Sequence, residues 1–240
     1  GAQPKAGNIA GVVSVTAEVN SAAAYKRHEQ GWVDEVIEDV EEVIRVARLY
    51  MENKKPHSIA FIGNVVTLWE KLVESEIKVD LGSDQTSLHN PWAGGYYPVQ
   101  LSFEDANEMM ATEPDKFKEH VQQSLKRHAA AINVLAERGM YFFDYGNAFL
   151  LEAGRAGAAV MAENKIDFRY PSYVQDILGP MCFDYGFGPF RWVCASGKPE
   201  DLVITDQIAC DVLEEIRKYS PILIQQQMAD NIKWIKEAGK

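Results

Sequence analysis

The sequence predicts an α/β fold in which a parallel sheet with flanking helices is followed by an irregular aromatic-rich segment and C-terminal helices. Short apolar segments typical of buried strands alternate with longer segments in which apolar residues recur at helical spacing. Prolines, glycines and aromatic residues then concentrate in residues 167–199, where no regular period is visible. We therefore expect a sheet domain over residues 1–165 and a second part over residues 166–240.

The first predicted elements are a helix over residues 3–10 and a strand over residues 12–19 that brings Glu18 to its end. From Val33 onward, apolar residues recur at helical spacing while acidic residues occupy the opposite face, which predicts an amphipathic helix beginning at Val33. A second strand over residues 58–62 breaks at Gly63-Asn64. A glycine-asparagine pair at this point is typical of a loop that leads into the next helix.

The rest of the chain continues the alternation of strands and helices. The predicted elements are helix 66–74, strand 77–81, a helix after Ser102, helix 114–138, strand 140–144, and helices 206–218 and 222–238. Ligands of parallel sheets bind beyond the carboxyl ends of the strands. We therefore expect Glu18, Gly63-Asn64, the loop that starts at Gly82, and Tyr145-Gly146-Asn147 to meet at one edge.

The composition argues against several classes of partner. A net charge of −11, without a basic cluster beside aromatic residues, argues against nucleic acid. The apolar runs are far shorter than the roughly twenty residues of a membrane helix, so we expect no membrane partner. Cys182, Cys194 and Cys210 lack CxxC spacing and are odd in number, which favours a reducing, cytoplasmic compartment. The histidines are scattered without ligand spacing, and we predict no metal site.

The loop of residues 82–98, GSDQTSLHNPWAGGYYP, carries the densest set of polar groups. It offers carboxylate, amide, hydroxyl and imidazole groups within a few positions, and Gly94-Gly95 allows a ligand to approach the backbone closely. These residues suit a site for a polar small molecule. They also suit a turn whose side chains bond to their own backbone, as Ser, Asp and Asn often do. The residues alone leave both interpretations open.

Three further residues also have two interpretations each. Glu18 can accept from both hydroxyls of a ribose, or it is a solvated acid at a strand end. Asn64 can bond a ligand or cap the following helix. Arg191 can clamp a substrate carboxylate through two hydrogen bonds, or stack on Trp192. No serine or cysteine lies in a recognisable nucleophile motif.

Taken together, these loops resemble one family, urocanate hydratase, also called urocanase. The motifs that carry the resemblance are GAQP at the start, FIGN at 61–64, SDQTSLHNP and GGYYP within 83–98, FFDYGN at 142–147 and FGPFRWV at 187–193. They occur in the family's order over nearly the whole chain, and DQTS-x-H-x-P and GPFRW are the most specific. The resemblance implies a Rossmann-like NAD-binding domain followed by part of the enzyme's core domain.

The resemblance implies a hydro-lyase of histidine degradation that adds water to urocanate and gives imidazolonepropionate. In this family, tightly bound NAD⁺ acts as an electrophile toward the urocanate imidazole, and no hydride leaves the site. By matching position, the implied NAD contacts are Glu18, Asn64, Val65, Gln85, Thr86, Ser87, Leu88, His89, Tyr96, Tyr97 and Tyr145. The family is usually dimeric, so a homodimer is expected.

Parts of the family's site have no match in this sequence. A glycine-rich turn would precede Gly1 and the family's catalytic cysteine would follow Lys240, so we expect a piece of a longer enzyme that is inactive alone. An arginine that bacterial members place after the strand-end acid falls near Ala23, which is not basic. Two alternatives remain, namely an NAD-dependent dehydrogenase domain that transfers hydride and a non-catalytic nucleotide-binding module.

Overall fold

The computed structural model describes residues 2–84, 86–146, 148–186, 188 and 193–238. By packing, the chain divides into two units, Gly1–Val174 and Gln175–Lys240. The functional boundary that we expect near Lys165 stays a prediction. None of the helices in these described ranges is long and apolar enough to span a bilayer.

Three strands early in the first unit form a parallel sheet in the order β1-β3-β2. They are β1 (Val13–Glu18), β2 (Glu35–Ile37) and β3 (His57–Ile62). The middle strand, β3, is buried along its first five residues, as expected for a strand covered on both faces. The register pairs Glu18 with Ile62, so β1 and β3 end at the same edge.

Two further strands, β4 (Leu81–Asp84) and β5 (Tyr141–Asp144), form a second parallel pair with Asp84 opposite Asp144. The strand predicted over residues 77–81 therefore lies further along the chain than expected. Its place is fixed by pairing with β5, which the local sequence does not reveal. As a result, Gly82 and Asp84 belong to the strand, and the polar loop begins only after Asp84. The predicted parallel α/β arrangement is confirmed.

Helices account for most of the remaining first unit. They are α1 (Gln3–Ala10), α2 (Ser21–Glu29), α3 (Val40–Glu52), α4 (Val65–Glu74), α5 (Phe103–Thr112), α6 (Pro114–Glu137) and α7 (Ala148–Arg155). Side chains of α3, α4, α6 and α7 share one apolar core with the strands. Ser102 caps α5 by accepting from the Asp105 N–H, as its sequence predicts.

The segment before α3 differs from its predicted helix. Residues 35–37 form strand β2, and the helix begins only after Asp39, whose side chain accepts from the Glu41 N–H. A three-residue strand is too short to show a period of two, and its pairing with β3 outweighs the helical spacing. Helix α2 has no counterpart among the predicted elements because Ala24 is its one buried residue and gives it no apolar stripe.

The second unit ends in two helices, α8 (Pro199–Tyr219) and α9 (Ile222–Ala238). Helix α8 begins earlier than residue 206, because Pro199 suits a first helical turn and Glu200 and Asp201 follow it. The two helices pack through a small apolar cluster, formed by Cys210, Leu213, Ile224, Met228 and Ile232. The described part of the aromatic-rich segment forms short helical turns, at Tyr173–Leu178, Gly179–Met181 and Phe183–Tyr185.

Candidate functional site

Several of the strand ends in the first unit are joined by contacts between their loops. The Gly63 N–H donates to the main-chain oxygen of Glu18 over 3.0 Å and so continues the β1-β3 ladder. The side-chain amide of Asn64 donates to the main-chain oxygen of Tyr97 over 2.8 Å. This bond ties the end of β3 to the loop of residues 86–98, which we call the 86–98 loop.

The 86–98 loop is closed by its own backbone. The Ser87 N–H donates to the Gly95 oxygen over 3.1 Å, and the Gly95 N–H donates to the Asn90 oxygen over 3.1 Å. A Cβ at Gly95 would lie 2.2 Å from the Ser87 oxygen, so only glycine fits this crossing. Because main-chain groups close the loop, the side chains of Ser87 and His89 remain exposed. The loop is thus a self-bonded turn that still presents polar groups outward.

Two buried side chains fix this loop to the core. Leu88 is 2% exposed and Tyr96 is 1% exposed. The Tyr96 hydroxyl is hydrogen-bonded to Nδ1 of His128 on α6, at 3.3 Å. Burial lowers the pKa of His128 to about 3, so its ring is neutral at physiological pH. Leu88 and Tyr96 therefore anchor the loop to the core. Because their side chains are buried, only their main-chain groups are available to a ligand.

The loop after β5 adds an aromatic surface. Tyr145 is 48% exposed, and its ring stacks on Tyr173 with 5.3 Å between centroids. A Cβ built at Gly146 would lie 3.9 Å from Nε2 of His89, which brings this loop next to the 86–98 loop. Tyr145 and His89 therefore lie at adjoining parts of one surface. A stacked, half-exposed ring of this kind suits a planar ligand.

The other predicted contacts at the edge are partly occupied by protein groups. Oε1 of Glu18 accepts from the Asn20 N–H over 2.9 Å. Asn64 caps α4 through the Val66 N–H over 2.9 Å. The Tyr97 hydroxyl donates to Asn107 over 2.9 Å. The predicted contacts that are half-buried are Glu18, Asn64, Val65, Thr86 and Tyr97. The capping interpretation of Asn64 is confirmed, and its amide has a second bond, to Tyr97, that the sequence did not suggest.

Two buried aspartates at this edge, Asp84 and Asp144, are not among the predicted NAD contacts. Oδ2 of Asp84 accepts from the Thr86 N–H at 3.1 Å and from its hydroxyl at 2.6 Å, whereas Oδ1 is buried without a hydrogen-bond partner in the part of the chain that the structure describes. Asp144 accepts from the Leu150 N–H at 3.0 Å. Burial, reinforced by the charge of Asp144, raises the pKa of Asp84 to about 7. The available signal was an acid at the end of each of two strands.

The comparison with protein families separates the same two parts of the chain. Residues 1–177 match the urocanase Rossmann-like domain, and residues 180–240 match the urocanase C-terminal domain. The chain belongs to the urocanase family. The family assignment made from the loop motifs is confirmed, and so is the Rossmann-like fold.

Curated relatives of this urocanase chain carry matching names. It is 56% identical to the probable urocanate hydratase of Caenorhabditis elegans and 57% identical to that of Dictyostelium discoideum, over its whole length. It is 53% identical to the human urocanate hydratase. In each case the chain spans 36% of the relative's length.

The matched ranges place the predicted residues of this urocanase chain in two domains. The candidate NAD contacts from Glu18 to Tyr145 fall in the Rossmann-like match, whereas Arg191 falls in the C-terminal match. Gln85 and Arg191 lie outside the described residues. Among the residues that the structure does describe, no cluster of His, Cys, Asp or Glu could hold a metal ion.

Proposed function

We propose that this chain is the NAD-binding part, with adjoining core, of a urocanate hydratase that adds water to urocanate to give imidazolonepropionate in histidine degradation. The observation that carries the proposal is the surface formed by the 86–98 loop and Tyr145, within a chain that belongs to the urocanase family. A hydratase of this kind is a lyase, and NAD⁺ is its resident cofactor.

The edge of the sheet fits a dinucleotide in three respects. Gly95 permits a close crossing of main chain that a Cβ would block, which keeps the loop compact. Ser87 and His89 are exposed and offer hydroxyl and imidazole groups to phosphate or ribose oxygens. Glu18 stands at a strand end, where an acid can accept from ribose hydroxyls.

Each group would have a distinct task. Glu18 would hold a ribose, Thr86 to His89 would hold the polar part of the dinucleotide, and Tyr145 would stack on a planar ring. Asn64, Val65 and Tyr97 would hold the loop and the start of α4 in place, with Leu88 and Tyr96 beneath them. Gln85 would add an amide to the same loop. When bound, NAD⁺ would supply an electrophilic nicotinamide ring that the urocanate imidazole can attack.

The substrate side of the proposal rests on Arg191. Urocanate is an anion, and the guanidinium of Arg191 in the GPFRW motif can bind its carboxylate with two parallel hydrogen bonds. We also propose a cytoplasmic homodimer. The cytoplasmic setting is supported by three free cysteines, Cys182, Cys194 and Cys210, and the dimer by the family resemblance. Sedimentation of the full-length gene product would test the dimer.

The deciding experiment follows urocanate and NADH absorbance together in the full-length gene product. A urocanate hydratase consumes urocanate, forms imidazolonepropionate by mass spectrometry, and accumulates no NADH. A dehydrogenase would accumulate NADH, and a non-catalytic module would leave urocanate unchanged while binding NAD. Glu18→Ala should weaken NAD binding, with Glu29→Ala, an exposed acid on α2, as the matched control. Either of the rival outcomes would overturn the proposal.

A further inference from the structure

A pair of buried aspartates lies at the ends of β4 and β5. Asp84 and Asp144 are register partners on adjacent parallel strands, which brings their side chains to the same face about 5 Å apart at the backbone. They are 4% and 2% exposed. Each carboxyl group organises the loop that follows its own strand.

The contacts of the two carboxyl groups show how each loop is held. Asp84 accepts two hydrogen bonds from Thr86 and so sets the first turn of the 86–98 loop. Asp144 accepts from the N–H groups of Gly146, at 3.4 Å, and Leu150, at 3.0 Å, and so sets the turn that enters α7. The loops that carry His89 and Tyr145 are therefore each held by one member of a pair of register partners.

We propose that the Asp84–Asp144 pair carries a single proton, held on Oδ1 of Asp84, and that this carboxyl pair is a positioning device that holds both loops against the same ligand. The proposal rests on the proposed function in one respect, since it takes that ligand to be the dinucleotide. Two adjacent buried carboxylates repel one another, and one proton removes that repulsion.

The hydrogen bonds decide which oxygen carries the proton. Burial raises the pKa of Asp144, but main-chain N–H donors on both of its oxygens partly offset this rise and favour the carboxylate. Oδ2 of Asp84 is occupied by the two donors of Thr86, whereas Oδ1 is buried and has no hydrogen-bond partner among the described residues. Burying a charged carboxylate oxygen without a hydrogen-bond partner costs more free energy than burying the same oxygen in its protonated, neutral form. The raised pKa of Asp84, about 7, agrees with this assignment.

The other titratable groups near the pair do not neutralise it. Burial keeps Tyr96, on the 86–98 loop, and His128, behind it on α6, uncharged at neutral pH. Arg127, also on α6, is paired with Glu70. Among the described residues, no cation acts on the pKa of either aspartate. A proton is therefore the available means of lowering the negative charge next to a site for an anionic dinucleotide.

The test uses Asp84→Asn, which is neutral at every pH, with Asp80→Asn as control. Asp80 ends the segment before β4, is exposed, and pairs with Lys78. Hydrogen exchange of the 86–98 loop in the full-length gene product, corrected for intrinsic rates, reports loop closure without any cofactor. When the loop opens, Asp84 reaches solvent and its pKa returns toward 3.8. In the wild type and in Asp80→Asn, protection should fall by about tenfold per pH unit from pH 4 to 7 and then level off.

Three outcomes separate the proposal from its alternatives. Asp84→Asn should show no such fall and should bind NAD within about threefold of the wild type, whereas Asp84→Ala, which loses the Thr86 acceptor, should bind at least tenfold more weakly. An Asp84→Asn protein that keeps the wild-type pH profile, or that unfolds or loses the loop at every pH, overturns the proposal. A wild type that shows the pH profile but binds no NAD instead overturns the proposed function.

A second variant tests the role of the partner. Asp144→Asn removes the neighbouring charge that helps to raise the pKa of Asp84, so the levelling-off in loop protection should move to lower pH. If the pH of the levelling-off is unchanged in Asp144→Asn, the two carboxyl groups titrate independently, and the proposal of a coupled pair is overturned. Asp80→Asn should leave that position at its wild-type value.

Discussion

The side-chain amide of Asn64 bridges two structural elements, because it caps α4 at the Val66 N–H and donates to the main-chain oxygen of Tyr97. Its oxygen serves the helix and its nitrogen serves the 86–98 loop. Asn64→Asp separates these roles, since a carboxylate still caps the helix but cannot donate to Tyr97. We expect stability to be retained and NAD affinity to fall by about fivefold, which is the cost of roughly one hydrogen bond.

Asn64→Ala serves as the comparison for this prediction. It loses the cap as well, so its free energy of unfolding should fall by about 1 kcal/mol in addition to the weaker binding. Urea unfolding and calorimetric titration with NAD measure the two quantities separately. Wild-type NAD affinity in Asn64→Asp would show that the bond to Tyr97 does not position the loop.

Gly95 and Gly94 give a second prediction with a matched control. A Cβ at Gly95 would meet main-chain oxygens of Ser87 and Asn90 at 2.2 and 2.4 Å, so Gly95→Ala must displace the loop. At Gly94, φ is +84° and the nearest atom, the Tyr97 hydroxyl oxygen, lies 3.7 Å away. Gly94→Ala should therefore cost about 1 kcal/mol of backbone strain while the loop keeps its path.

Calorimetric titration distinguishes these two substitutions. We expect NAD affinity to fall by more than tenfold in Gly95→Ala and by less than threefold in Gly94→Ala, if strain at Gly94 is local. Equal losses in the two variants would contradict the claim that the crossing at Gly95 shapes the binding surface.

The sequence identifies the family better than it predicts the elements that support the candidate site. The motifs around Asn64, in the 86–98 loop and at Tyr145 identify one family because their residue types recur at fixed spacing. The strand β2 and the start of β4 depend instead on pairing with distant residues, which local periodicity does not encode. The burial of Leu88, and the unpartnered oxygen of Asp84, likewise arise only from packing between elements.

Arg191 allows a test of substrate recognition in the full-length gene product. If its guanidinium binds the urocanate carboxylate, Arg191→Ala should raise the KM for urocanate by at least tenfold. Arg191→Lys keeps the charge but not the two parallel hydrogen bonds, so its KM should lie between those of the wild type and Arg191→Ala. A neutral ester of urocanate should bind the wild type poorly, and its affinity should fall little further in Arg191→Ala. An unchanged KM for urocanate in Arg191→Ala would remove this assignment.

His128 gives a prediction about acid stability, because its pKa of about 3 lies far below the 6.5 of an exposed histidine. Below pH 6.5 the unfolded chain takes up a proton that the buried ring in the folded state does not. Stability is therefore complete above pH 6.5 and is lost as the pH falls toward 3, by about 1.4 kcal/mol per pH unit. His128→Asn removes this titratable group, so the free energy of unfolding of the variant should decline less steeply than that of the wild type as the pH falls.

Urea unfolding from about pH 4.5 to about pH 8 measures this slope, because the range starts between the two pKa values and ends above 6.5. Ile132→Val is the matched control on α6, because it removes one buried methylene and no titratable group. It should lower stability by about 1 kcal/mol at every pH and leave the slope unchanged. The pH dependence of Asp84 is opposite to that of His128. Burial raises the pKa of Asp84, so its contribution to folding stability weakens as the pH rises. Parallel curves for His128→Asn and the wild type would show that the ring is protonated or solvated in the folded protein, and the hydrogen bond that anchors Tyr96 would then need another explanation.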